Sequence, residues 1–336
     1  MEHTSPDRAA TAPLGPPPPF DPELATALAA IHELMPPGGS GADPGATPPE
    51  DVPGMRPVTN ETLERDGAFR VEERSVPGPA GAPDVSLLIC RRADAATPVP
   101  ALYHIHGGGM TVGDNRTGVP EMLDLAQELR LSVVSVEYRL APGTRHPGPV
   151  EDCYAGLVWT AEHAAELGID PERVIVVGGS AGGGLAAAVA LLARDRGGPA
   201  LLGQVLMCPM IDDRNDTPSA RQMTGVGVWD RAANEAGWTA LLGAARGTDD
   251  VSPYAAPARA ADLSGLPPAF VDVASAETFR DEDVDYARRI WQAGGEAELH
   301  VWTGGFHGFD SMAPQAAISR DAWQARLRWL RRLLAH

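Results

Sequence analysis

Residues 173–193 read RVIVVGGSAGGGLAAAVALLA, and this stretch decides the architecture of the chain. Val174, Ile175, Val176 and Val177 make a β-branched run too short for a helix and suited to a strand covered on both faces. Leu185, Val189 and Leu192 follow at helical spacing in an alanine-rich segment. Between them Gly178-Gly179-Ser180-Ala181-Gly182 forms a tight turn with one hydroxyl at its tip. Side chains at positions 178 and 182 would collide with the adjoining strand and helix, and the turn strains the backbone of Ser180. The helix start adds unpaired N–H groups and a partial positive charge beside the serine oxygen. Glycine is abundant, 37 of 336 residues, so Gly-x-Ser-x-Gly alone would also fit an ordinary strand-to-helix turn. The flanking strand and helix favour a nucleophilic serine. A dinucleotide loop is excluded because no Gly-x-Gly-x-x-Gly follows the first strand of a βαβ unit.

Outward from that turn, β-rich runs are expected at Phe69–Val76, Val85–Arg91, Ala101–His106, Ser132–Tyr138, Gln204–Cys208, Ala269–Val273 and Glu298–Trp302. Helices are expected at about 119–130, 149–167, 181–195, 281–293 and 318–335. Strands that alternate with helices after an early meander predict an α/β fold: eight strands, mostly parallel, with the antiparallel strands first. In the last helix Trp323, Leu327, Leu330 and Leu334 share one side, and Arg326, Arg328, Arg331 and Arg332 are read as a solvated face. Residues 1–20 are proline-rich and expected to be extended or mobile, and 36–57 read as a Pro/Gly-rich linker. Between them Leu24, Leu28, Ile31 and Met35 mark an amphipathic helix over 22–35. The alternation breaks over about 209–266, which holds Trp229, Trp238 and a short helix near 231–245, and such an insertion suits a cover over a pocket. The expected division is therefore 1–60, an N-terminal segment with its helix, and 61–336, the main domain carrying the insertion.

Composition excludes several partners. The formal charge is −18, which argues against nucleic acid and anionic membrane surfaces. All 27 basic residues are arginine, a coding bias rather than chemistry. Leu185 to Ala193, the longest uninterrupted apolar run, cannot span a bilayer. MEHTSPDRAA carries no basic and apolar leader, so the cytoplasm is the expected compartment. Cys90, Cys153 and Cys208 are odd in number and expected as buried free thiols. No Cys/His group has zinc-ligand spacing, so no metal is expected.

Ser180 needs a base, and the base an orienting acid. Among the histidines that follow it, His300 lies inside a strand and His336 ends the chain. His307, in TGGFHGF after the last strand, is the candidate base. The loop AFVDVASAETFRDED before it offers the acid. Glu277 is nearest the strand end, whereas Asp281, the alternative, begins a helix where carboxylates cap. Upstream, His106-Gly107-Gly108-Gly109 follows ALYHI. The N–H groups of Gly107 and Gly108, with that of Ala181, are candidate donors to a developing oxyanion. Met110, Met210, Met223, Trp229, Trp238 and Phe306 are candidate pocket walls.

The order HGGG, EYRLAP (137–142), PVEDCYAGLVW (149–159), GGSAGGG, ETFRDE and FHGF resembles the hormone-sensitive-lipase-like esterases of the α/β-hydrolase fold, over roughly 65–335. The resemblance implies Ser180 as nucleophile, His307 as base, Glu277 as acid where the family more often has Asp, and an oxyanion hole from Gly107, Gly108 and Ala181. Gly179 and Glu137 also depart from the commoner residues, and Glu137 is read as a structural carboxylate. The resemblance further implies a cap from the N-terminal segment and the insertion, a small-molecule ester substrate with a short acyl chain, no cofactor, and a homodimer. The same residues would serve a deacetylase or amidase on a natural product. The fold also hosts ligand-binding homologues that have lost the base, and plant lyases acting on ring hydroxyls.

Overall fold

In the computed structural model, residues 14–34, 58–96 and 98–335 are described. The first part of the proline-rich stretch and the 36–57 linker lie outside them. The strands are β1 (Phe69–Val76), β2 (Val85–Arg92), β3 (Val99–Ile105), β4 (Ser132–Glu137), β5 (Ile169–Gly179), β6 (Gly203–Met207), β7 (Ala269–Ala274) and β8 (Ala297–Trp302). They form one sheet of order β1-β2-β4-β3-β5-β6-β7-β8. β2 runs antiparallel to both β1 and β4, and every other pair is parallel. This is the α/β-hydrolase sheet, with the antiparallel strands first as expected. β5 is longer than its valine run predicts. Ile169 already pairs with Val99, and Gly178 and Gly179 stay in register with Leu206 and Met207.

The helices are α1 (Pro22–Leu34), α2 (Asn60–Glu64), α3 (Val119–Leu129), α4 (Gly148–Glu162), α5 (Ala164–Leu167), α6 (Ala181–Arg196), α7 (Pro218–Gln222), α8 (Arg231–Leu242), α9 (Arg280–Gln292), α10 (Phe309–Met312) and α11 (Ala317–Leu334). The single helix expected over 149–167 divides at His163, whose Nδ1 lies 2.9 Å from the Trp159 carbonyl oxygen.

Alternation along the strands builds two cores. Val174 and Val176 face one with Leu87, Tyr103, Val136 and α6, while Ile175 and Val177 face the other with Leu102, Val133, Phe270 and α11. A third cluster joins Leu24, Leu28 and Ile31 of α1 to Phe306, Phe309 and Ala313, so α1 packs on the segment that carries His307. Asp21 N–H donates to the Gly304 carbonyl at 2.9 Å in the same place.

The α11 arginines are not one solvated face. Arg326 turns inward, 7% exposed, and bonds Asp272 of β7 through Nε (3.0 Å) and Nη2 (2.7 Å), and Asp310 of α10 through Nη1. A buried carboxylate at position 272 would otherwise lack a counter-charge, which overrides the exposure expected of arginine. Among the described residues no helix is long and apolar enough to cross a membrane.

Candidate active site

Ser180 sits at the end of β5 with φ 56° and ψ −123°, a conformation rare for a residue with a side chain. Three backbone bonds hold it there. Its N–H donates to the Met207 carbonyl (2.8 Å), and its own carbonyl accepts from Gly184 (3.0 Å) and Met210 (2.9 Å). α6 is drawn tightly against the sheet. A methyl group at Gly182 would lie 2.0 Å from the Ile105 carbonyl oxygen, which only glycine avoids.

The loop after β8 is tied to the loop after β7. Gly304 N–H donates to Ser275 Oγ (2.8 Å), and Ala276 N–H donates to the Gly305 carbonyl (3.1 Å). His307 is thereby delivered between Ser180 and Glu277. Its Nε2 lies 2.9 Å from Ser180 Oγ, and its Nδ1 is hydrogen-bonded to Glu277 Oε1. With an ionised Glu277 able only to accept, Nδ1 carries the hydrogen and Nε2 is left as acceptor for the serine hydroxyl. Glu277 is 1% exposed, and its second oxygen accepts the Ala274 N–H at 3.1 Å. Phe279 meets the imidazole edge-on at 5.3 Å. Asp281 goes elsewhere: its carboxylate accepts from Ser219 N–H (2.8 Å) and Arg280 Nε (2.8 Å), fastening α7 to α9.

In the glycine loop, the Gly108 carbonyl accepts from both Thr111 (3.0 Å) and Val112 (3.1 Å), which folds the loop back over the serine turn. A methyl group at Gly107 would be 3.5 Å from Ser180 Cβ. Among the described residues the N–H groups of Gly107, Gly108 and Ala181 have no acceptor, and neither has that of Gly109, which the sequence reading passed over. The preceding His106 is a brace. It stacks on Tyr138 at 4.2 Å, bonds the Gly107 carbonyl through Nδ1 (2.7 Å), and is held neutral by burial, which lowers its pKa to about 4. Glu137 accepts the Asn115 N–H at 2.6 Å and so anchors the far end of the same loop.

The six apolar candidates, from Met110 to Phe306, are all buried. Trp229 is the informative one. Its indole covers Gly109, where a methyl group would sit 2.3 Å from Cη2, and its ring centre is 6.2 Å from that of His307. The Trp229 carbonyl accepts Thr278 Oγ1–H at 2.7 Å, and Asn234 Oδ1 accepts its indole N–H at 3.4 Å.

The sequence predicts a buried core thiol at Cys208. It is instead half-buried just past β6 with φ 38°, and its N–H donates to the Asp272 carbonyl at 2.6 Å. Desolvation, then the nearby Glu277, Asp310 and Asp272 carboxylates, keep its thiol protonated. Its sulfur, a Glu277 oxygen and a His307 nitrogen lie within 4.8 Å of one another. Linear spacing could not reveal this group, because its members come from three loops.

A family model described as the alpha/beta hydrolase fold matches residues 102–311. Carboxylesterase NlhH of Mycobacterium tuberculosis is 34% identical over 290 residues, covering 86% of each chain. Ethyl acetate hydrolase of Pseudomonas putida is 35% identical over 220 residues, covering 65% of this chain and 69% of the relative. Among solved structures, a bacterial heroin esterase superposes with a TM-score of 0.81 at 39% identity, covering 94% of this chain and 98% of the other. With the sheet order, the serine turn and the glycine loop already in place, these likenesses put the chain in the hormone-sensitive-lipase-like carboxylesterase family of the α/β-hydrolase fold.

Proposed function

We propose that this carboxylic ester hydrolase cleaves esters of short acyl chains through an acyl-enzyme on Ser180, with His307 as general base and acid and Glu277 as its orienting partner. The observation that carries the proposal is the continuous line from Ser180 Oγ through His307 Nε2 (2.9 Å) and Nδ1 to Glu277 Oε1. His307 accepts the serine proton as Oγ attacks the carbonyl carbon, and Glu277 stabilises the imidazolium. The negative oxygen of the tetrahedral intermediate is met by the free N–H groups of Gly107, Gly108 and Ala181. His307 then protonates the leaving alkoxide, and the cycle repeats with water in place of serine.

Two features support a small acyl group: the Trp229 indole closing the space over Gly109, and the likeness to an ethyl acetate hydrolase. In this reading α1 and the 209–266 segment serve as the cap, α1 by buttressing the His307 loop and the insertion by seating Trp229. The test is Ser180→Ala assayed with p-nitrophenyl acetate. A loss of turnover of roughly 10⁶-fold is expected, with an unchanged circular dichroism spectrum. Turnover retained by the purified variant would exclude Ser180 as nucleophile.

A further inference from the structure

Cys208 follows β6, Glu277 follows β7 and His307 follows β8, yet one potential ligand atom from each lies within 4.8 Å of the other two. Thiolate sulfur, carboxylate oxygen and imidazole nitrogen together suit Zn²⁺ and other thiophilic dications, whereas Mg²⁺ and Ca²⁺ seek oxygen alone. Zinc–donor bonds of about 2.0–2.3 Å place tetrahedral donors roughly 3.5 Å apart, within reach of small side-chain rotations here. Beside the trio, a cavity with room for about one water is walled by Cys208, Glu277 and Gly308 together with the Asp272 and Asp310 carboxylates and the Arg326 that pairs with both, and it offers a place for a fourth, aqueous ligand. The His307 side chain keeps 11% exposure, so the trio is open to solvent on that side.

We propose that Cys208, Glu277 and His307 form an inhibitory site for a thiophilic divalent cation such as Zn²⁺ or Cd²⁺. Binding breaks the Cys208 S–H bond and forms a sulfur–metal bond, and the thiol proton leaves to water. The His307 Nδ1 lone pair turns to the metal, so the imidazole hydrogen moves from Nδ1 to Nε2. One dication, one thiolate and one carboxylate sum to zero, which a largely buried site tolerates. A bare thiolate beside Glu277 would be a second uncompensated negative charge, so the metal-free enzyme keeps the thiol neutral. The effect on turnover rests on the proposed Ser180–His307 mechanism: Nε2 now points a hydrogen at Ser180 Oγ and cannot take the serine proton. The binding itself does not depend on that mechanism.

The experiment has two arms, both on the full chain. In the first, the Ser180→Ala variant is titrated with Cd²⁺ while the ultraviolet thiolate-to-cadmium charge-transfer band is followed. The band should saturate at one ion per chain and vanish in S180A/C208S and S180A/C208A. In the second, Zn²⁺ inhibition of p-nitrophenyl acetate hydrolysis is measured for the wild type and Cys208→Ser, each relative to its own metal-free rate. Chelator-reversible inhibition should weaken by roughly 10–100-fold or more in the variant, and Mg²⁺ should not inhibit. Absence of the band, its persistence without Cys208 (which would assign it to Cys90 or Cys153), or equal inhibition of both proteins would overturn the proposal. If Ser180→Ala kept its turnover while the Cys208-dependent band appeared, the binding site would stand and the nucleophile assignment would fail.

Discussion

His307 and Glu277, 30 residues apart in the chain, are joined through Nδ1 and Oε1, and the other Glu277 oxygen is held by the Ala274 N–H at 3.1 Å. A carboxylate fixed at both oxygens can set the imidazole tautomer. Glu277→Gln would replace an acceptor with an amide able to donate to Nδ1, which would put the hydrogen on Nε2 facing the serine. We expect kcat for p-nitrophenyl acetate to fall roughly 10³–10⁴-fold. Asp281→Asn loosens only the α7–α9 junction and should lower the melting temperature while changing kcat by less than about tenfold. The reverse ranking would move the orienting role to position 281.

Trp229 lies over Gly109 of the glycine loop, and the proposed function makes its indole the wall that limits acyl length. Trp229→Leu replaces the whole indole with a smaller apolar side chain, and Trp229→Ala opens the space further at a cost in stability of about 3–5 kcal/mol. The ratio of kcat/KM for p-nitrophenyl hexanoate over acetate should rise roughly tenfold or more in the leucine variant. An unchanged ratio would mean that another side chain limits acyl length.

Arg326 is the only cation bonded to Asp272 among the described residues, and both are nearly sealed from water. Arg326→Leu leaves a buried carboxylate without its partner and should lower unfolding stability by about 3–5 kcal/mol, read from urea denaturation. Replacing both, as R326M/D272L, should cost less than the arginine change alone, because an apolar pair carries no desolvation penalty.

The parts of this molecule whose chemistry is local are legible in its sequence. The valine run, the Gly-Ser-Gly turn, the triple glycine and the FHGF loop each confine backbone or side chain within a few residues, so their placement followed from sterics. Where the deciding partner is distant in the chain, the local sequence does not carry the outcome. Glu277 and Asp281 stand four residues apart, and what separates them is Ser219, 62 residues from Asp281, which captures it. Arg326 looked solvated because Asp272, its partner, is 54 residues upstream. Cys208 read as core because nothing near it announces the positive φ that seats it beside Glu277 and His307. α2, α7 and α10, of four or five residues, are too short to show a helical period.

Asp283 is fully buried in the first turn of α9, and neither carboxylate oxygen has a hydrogen-bond partner among the described residues. Burial, reinforced by Glu282, Glu277 and Asp272, holds its pKa well above the usual range. Folding therefore binds its proton more tightly than the unfolded chain, which gives it up near pH 4. The stability linked to this proton is full below about pH 4 and is lost as pH rises toward the folded-state pKa. Asp283→Asn keeps the shape and abolishes the titration. We expect the variant to gain melting temperature relative to the wild type, and the gain to widen from about pH 5 to pH 8. A difference independent of pH over that range would mean that the carboxyl does not titrate differently on folding, and that an unseen partner satisfies it.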